Sequence, residues 1–215
     1  MISEMIAELN VGHAYNRGWQ SDDTSGPARP VGLLGCDWAL ENGAYRITRI
    51  LGDAGPYDAD ARSPLSKLGV DAKAGDYLLE VNGIPVDTSR SVYAAFEGTA
   101  GKATEITLNA EPTMDGEERH VLVKPVRSES SMRYRDWVAH KRAMVEEAGG
   151  GRIGYVHVPD MQVAGLIEFH RAYLWQSGRE ALIVDVRDNG GGNVSQILLG
   201  KLRHWALHCS VILVP

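Results

Sequence analysis

The sequence predicts an α+β protein of more than one domain, a small β-rich unit followed by part of an α/β core. Two observations carry this. From Val31 to about Val126, apolar and β-branched runs are separated by Gly, Pro, Asn and Asp, the pattern of short strands and tight turns. From Ser131 onward, stretches of helical periodicity alternate with unbroken apolar runs, which implies parallel strands joined by crossover helices. A chain of 215 residues is long enough to bury one large core or two small ones.

Taken in order, Ile2, Met5, Ile6 and Leu9 stand at helical spacing and predict a short amphipathic helix that stops near Asn10 and Gly12. The Gly/Ser/Asp/Pro stretch from Asn16 to Pro30 has the composition of a linker. Strands follow in VGLLGCDW, AYRITRIL, DYLLEVNG, TEITLNA and RHVLVKPV. Gly75 and Gly83 allow the tight turns on either side of DYLLEVNG, in which Tyr77, Leu79 and Val81 alternate onto one face. Val92, Ala95 and Phe96 predict a short helix from about Ser91 to Gly98.

In the second unit, Trp137, Val138, Met144 and Val145 mark a helical face that ends at Gly149-Gly150-Gly151, and GRIGYVHV follows as a strand. Val163, Leu166, Ile167, His170, Tyr173 and Leu174 form the expected apolar stripe of the next helix, with His170 as a satisfied core residue. ALIVDV reads as a strand buried on both faces. A third helix is expected from about Asn193 to Trp205, with Asn193 as N-cap, before SVILV opens another strand. The expected organisation is a helical segment over 1–15, a linker over 16–30, the β-rich domain over 31–127 and the α/β unit over 131–215, which stops partway through its sheet.

The formal charge of -6, from 28 acidic and 22 basic side chains, provides no electrostatic footprint for phosphate backbones or anionic lipid, so neither nucleic acid nor a membrane is an expected partner. No window approaches the roughly 18 apolar residues of a membrane span. Glu4 and Glu8 stand where a secretion signal would carry basic residues and an apolar run, and a cytoplasmic location is expected. Cys36 and Cys209 fall in no CxxC or Cys/His spacing, and the remaining histidines have no helical partner at ligand spacing. No disulfide, metal or cofactor is expected.

The segment RSPLSKLGVDAKAGDYLLEVNGIPV, Arg62 to Val86, carries a Ser-Pro turn, a Gly-Asp bend and an Asn-Gly hairpin in sequence. It resembles the PDZ domains of bacterial and archaeal proteases. That resemblance implies a strand edge to which a peptide adds as an extra strand, leaving its carboxylate on backbone amides of a glycine-containing loop. Gly32, Leu33, Leu34 and Gly35 match that loop, and Val92 and Phe96 would wall the pocket for the last peptide side chain. No Arg or Lys stands ready in the sequence to strengthen the carboxylate contact.

The segment DVRDNGGGNVSQ, Asp185 to Gln196, places consecutive glycines between a buried strand and a helix. Such a loop turns its amides toward an anion at a helix start. It resembles the Asp-x-Arg-x-Asn-x-Gly-Gly segment of the tricorn and carboxyl-terminal-processing protease clan. The resemblance implies a crotonase-like or ClpP-like core and an oxyanion hole with a backbone amide from Gly190 or Gly191. The segment ELNVGH, Glu8 to His13, is similar to the tricorn stretch in which a histidine serves as general base, which assigns that role to His13. Gly12 stands where the family has a serine of its catalytic tetrad.

The family's nucleophile lies in a Gly-Ser-Asp stretch that this sequence does not contain, so the chain alone is expected to be inactive. The resemblance as a whole implies a tricorn-type serine peptidase acting on peptides, with self-association through residues beyond about Ser131. A competing reading is a PDZ adaptor that binds peptides without catalysis.

Overall fold

The computed structural model describes residues 30–52, 62–176, 178–206 and 210–214. His13, the helix expected over 2–9 and most of the linker fall outside them. Six strands make an antiparallel sheet: β1 (Cys36–Glu41), β2 (Ala44–Ile50), β3 (Tyr77–Val81), β4 (Ile84–Pro85), β5 (Thr104–Asn109) and β6 (Arg119–Val123). They run in the order β1-β2-β3-β5-β6, with β4 folded back on β3. Two hairpins close through Asn-Gly turns with positive φ at both positions, 52° and 81° at Asn42-Gly43 and 53° and 72° at Asn82-Gly83, the geometry that matches strand twist.

Leu34, Ile47, Leu78, Phe96, Ile106 and Leu108 fill the core of this unit. The expected alternation of Tyr77, Leu79 and Val81 breaks, because the pairing of β3 with β5 shifts register between Leu78 and Glu80. Leu78 is therefore buried and Leu79 only half-buried. The expected helix is a five-residue 3-10 helix, Val92–Phe96. Its bonds run three residues back, from Ala94 N–H to Ser91 and from Glu97 N–H to Ala94, and Gly98 at φ 73° ends it.

The second unit contains α1 (Ser130–Ala148), β7 (Ile153–His157), α2 (Val163–Gln176), β8 (Ala181–Asp185), α3 (Ser195–Ala206) and β9 (Ser210–Val214). The three strands are parallel in the order β7-β8-β9, as the alternating helices and apolar runs require. Val156, Val158, Phe169, Leu182, Val184 and Leu198 form a core separate from that of the first sheet.

His170 is exposed rather than part of the core. Helix α2 buries Gly165 and Phe169, and His170 lies roughly 100° round the helix from Phe169. The approach at Gly165 is so close that a β-carbon there would meet the Asp160 carbonyl oxygen at 1.9 Å. Helix α3 also starts later than expected. The Asn193 and Val194 N–H groups both donate to the Met161 carbonyl, at 2.7 and 2.9 Å, so Asn193 belongs to the loop and does not cap the helix.

Candidate functional site

The glycine loop hangs from the C-terminal end of β8 on a buried ionic anchor. Asp185 is fully buried there. It accepts hydrogen bonds from Tyr155 Oη at 2.7 Å, from the Arg187 backbone N–H at 3.0 Å and from Arg187 Nε at 2.9 Å, with Arg187 Nη2 closing an ion pair. Burial alone would raise the Asp185 pKa, but the bonds from Arg187 and Tyr155 outweigh it and hold the carboxyl well below the usual range. Burial, reinforced by the bond to Asp185, pushes the Tyr155 phenol well above its ordinary value.

A second tether reaches the loop from α1. His157 is buried, with Nε2 2.8 Å from the Arg187 carbonyl oxygen and Nδ1 3.0 Å from Tyr134 Oη. A carbonyl only accepts, so Nε2 carries the proton and Nδ1 accepts from the tyrosine. Burial, followed by the nearby Glu168 charge, pushes the Tyr134 phenol up to about 12. The Trp137 ring meets His157 edge-on at 4.8 Å, and its face receives the Arg187 guanidinium at 5.7 Å. Arg187 is thus fixed by β8, β7 and α1 together.

Beyond Arg187 the loop is held by the Asn189 side chain and by carbonyls of the connection that follows β7. Asn189 Nδ2 donates to the Val158 carbonyl, and Asn189 Oδ1 accepts from Gly191 N–H, both at 2.8 Å. Gly190 N–H donates to the Pro159 carbonyl at 3.0 Å. Gly191 has φ 78° and Gly192 φ 146°; a β-carbon at Gly192 would lie 2.1 Å from the Met161 carbonyl oxygen. The amides of Gly190 and Gly191, singled out in the sequence, are therefore both engaged, the first with the connection that follows β7 and the second with the Asn189 side chain. Among the described hydrogen bonds none uses the Gly192 N–H, and all three glycines are exposed at the start of α3.

An apolar cavity of about 500 Å³ opens beside the loop, lined in part by Met161, Phe169, Val186, Ser195 and Leu198. It suits an apolar side chain rather than a charged group. Among the described residues no serine hydroxyl is hydrogen-bonded to an imidazole. The Thr107 hydroxyl lies 3.1 Å from His120 Nδ1 on the first sheet, but Thr107 is 1% exposed and out of reach of a substrate. No group of three or more His, Cys, Asp or Glu side chains is placed to hold a metal ion among the described residues.

The segment to which the sequence assigns peptide binding, Gly32 to Gly35, leads into β1, which pairs only with β2 among the described residues. Gly32 N–H donates to Phe96 and Leu33 N–H to Val126, each at 2.9 Å, and Gly35 N–H donates to Glu129 Oε1 at 2.7 Å. Gly32 is packed so tightly that a β-carbon would meet Thr99 Oγ1 at 2.1 Å. Leu34 is buried, and its carbonyl accepts from Ser63 Oγ at 2.6 Å. Val92 and Phe96 point into the core, while Tyr93 between them is exposed.

Sequence reasoning missed Tyr134, Tyr155, His157 and Glu129. The only local sign was the spacing of Glu129 and Arg133, which puts them on one face of α1.

Residues 32–128 match the model of the tricorn protease PDZ domain, and residues 152–203 match peptidase family S41. Tricorn protease homolog 1 of Streptomyces coelicolor is 43% identical over 205 residues, which are 94% of this chain and 18% of that protein. The tricorn protease of Thermoplasma volcanium is 37% identical over 203 residues, 94% of this chain and 19% of the relative. A crystal structure of the tricorn protease superposes with a TM-score of 0.71 at 34% identity, covering 80% of this chain and 16% of that one. The chain thus spans less than a fifth of the length of these proteins. With the PDZ and S41 matches in succession, the chain is similar to tricorn proteases over nearly all of its length.

Proposed function

We propose that this chain provides the peptide-binding domain and the oxyanion-stabilising loop of a serine peptidase that cleaves peptides in the cytoplasm. The observation that carries this reading is the loop at Gly190 to Gly192, held at a helix start with the Gly192 N–H turned to no partner among the described residues. In acyl transfer, a serine oxygen attacks the scissile carbonyl, and the negative charge that develops on the carbonyl oxygen is met by preorganised N–H donors. Gly190 and Gly191 would hold the loop's shape and Gly192 would donate. His13 would take the hydroxyl proton and return it to the leaving amine. The serine would come from outside the 215 residues, and the neighbouring apolar cavity would receive a substrate side chain.

The assignment requires His13 and the glycine loop to be neighbours despite the roughly 180 residues between them. A variant combining His13→Cys with Asn193→Cys, in a Cys209→Ser background, should form an intramolecular link with a short bismaleimide. Pairing His13→Cys instead with a cysteine at Lys102, on the other domain, should not. Failure of the first pair to link in folded protein would remove His13 from the site.

A further inference from the structure

We propose that the groove beside β1 accepts an extended internal segment of a polypeptide and not its free C-terminus, because the Glu129 side chain already fills the place of a terminal carboxylate. The inference rests on the peptide-binding reading of the first domain and narrows it to one ligand class.

The arrangement of Glu129 is that of a bound carboxylate. Its Oε1 accepts the Gly35 N–H at 2.7 Å, and its Oε2 accepts from Arg133 Nε and Nη2 at 3.0 and 2.7 Å. The side chain is 7% exposed. Gly35 heads directly into the β1 edge, and the Gly32 and Leu33 amides are already spent on Phe96 and Val126. None of these three donors is left for an incoming carboxylate. A second negative charge brought beside the buried Glu129 would also be repelled where water screens poorly.

Helix α1 locks this occupant in place. Met132, one turn along, is 1% exposed, and its Sδ lies 2.8 Å from where a β-carbon on Gly35 would stand. Arg133 reaches on to Asp37 Oδ1 at 2.9 Å, while Arg49 bridges Asp37 Oδ2 and Asp136 Oδ2 at 2.9 and 2.7 Å. Burial works against the Asp37 charge, but the bonds from Arg133 and Arg49 keep its carboxyl below its ordinary value. The clamp closes the Gly35 end of the groove. Beyond it, Trp38 to Glu41 remain on an edge strand whose backbone is paired on one side only among the described residues. Adding a strand there needs main-chain groups and no terminal charge, which is the chemistry of an internal segment.

The test uses one apolar heptapeptide, fluorescein-labelled at its N-terminus, prepared both as the free acid and as the carboxamide. Anisotropy titrations with the full chain should show the acid binding no better than the amide. In Glu129→Ala, which frees the Gly35 N–H, the acid should gain about tenfold over the amide, and only the acid should shift the Gly35 amide resonance. Glu129→Gln retains an acceptor for Gly35 while removing the charge, so it guards against a folding defect; the acid should gain on the amide there too. An acid preference of about tenfold in the unmodified chain, or an acid-to-amide ratio unchanged in both variants, would overturn the role given to Glu129 while leaving peptide binding intact. Absence of binding by either peptide to all three proteins would overturn this inference and the peptide-binding reading together.

Discussion

His157 Nε2 lies 2.8 Å from the Arg187 carbonyl oxygen, so one buried imidazole joins helix α1 to the start of the glycine loop. Replacing His157 by Ala leaves the Tyr134 hydroxyl and the Arg187 carbonyl without their partner and opens a void between them. Each effect is of order 1–3 kcal/mol, and together they should cost about 3 kcal/mol of stability. Urea unfolding measures the total. Hydrogen exchange should also speed up at the Gly190 and Gly191 amides more than in β5 or β6. Uniform acceleration across both domains would mean that the imidazole serves the global fold and not the loop.

Asp185 gives the second unit an acid-sensitive point. Its folded pKa is depressed, so its contribution is present above the unfolded value of about 3.9 and is lost as pH falls toward the folded value. Asp185→Asn should therefore destabilise the protein at neutral pH and flatten the loss of stability below about pH 4. Removing one member of a buried ion pair costs roughly 3–5 kcal/mol when the other charge is stranded. The Arg187 side chain is 44% exposed and can turn to water, which brings the expectation down to about 2 kcal/mol. Unfolding midpoints for the two proteins between pH 3 and 7 check both the sign and the window.

Glycines of the same loop should respond unequally to alanine. At Gly191 the space around a β-carbon is open, so Gly191→Ala costs only the positive φ, about 1 kcal/mol. At Gly192 a β-carbon would overlap the Met161 carbonyl, and the bonds that Met161 makes to Gly191, Asn193 and Val194 must shift. Gly192→Ala should lose several times as much as Gly191→Ala and displace the amide resonances of Met161 and Asn193. Equal effects, measured by thermal unfolding, would show that the loop does not rest on Met161.

These contrasts mark what the sequence could and could not disclose. The Asn82-Gly83 turn and the ALIVDV strand were legible because their conformation follows from adjacent residues. The DVRDNGGG run disclosed the loop, but not which of its amides are engaged, since that depends on Pro159 and Met161 from another connection. The buried position of Leu78 follows from register against β5, some 30 residues away. His170 was misplaced because α2 is apolar over much of its circumference, and the residue that sets its contact face, Gly165, has no side chain to signal it. Nothing adjacent to Glu129 signals its partner, because Gly35 lies 94 positions earlier.

The outer face of α2 is largely apolar. Ile167, Leu174 and Trp175 are 46%, 62% and 81% exposed, and Ile197 on α3 is 50% exposed. Between the two helices Leu166, Ile167, Leu174 and Ile197 line a shallow apolar groove that also includes His170 and Lys201. Contiguous apolar surface of this kind is rarely left in water, and covering it releases free energy in proportion to the area buried. We therefore expect the chain to self-associate through α2 and α3, with the second-domain sheet on the far side of those helices undisturbed. Ile167→Glu combined with Trp175→Glu places two carboxylates on that face, where pairing would strip them of water without a partner. Because neither side chain belongs to the core, the unfolding temperature of the dilute protein should change little. Light scattering over a concentration series should then show an associating unmodified chain and a monomeric double variant. An unmodified chain that stays monomeric throughout, or a double variant that associates as strongly, would rule out this face as the contact.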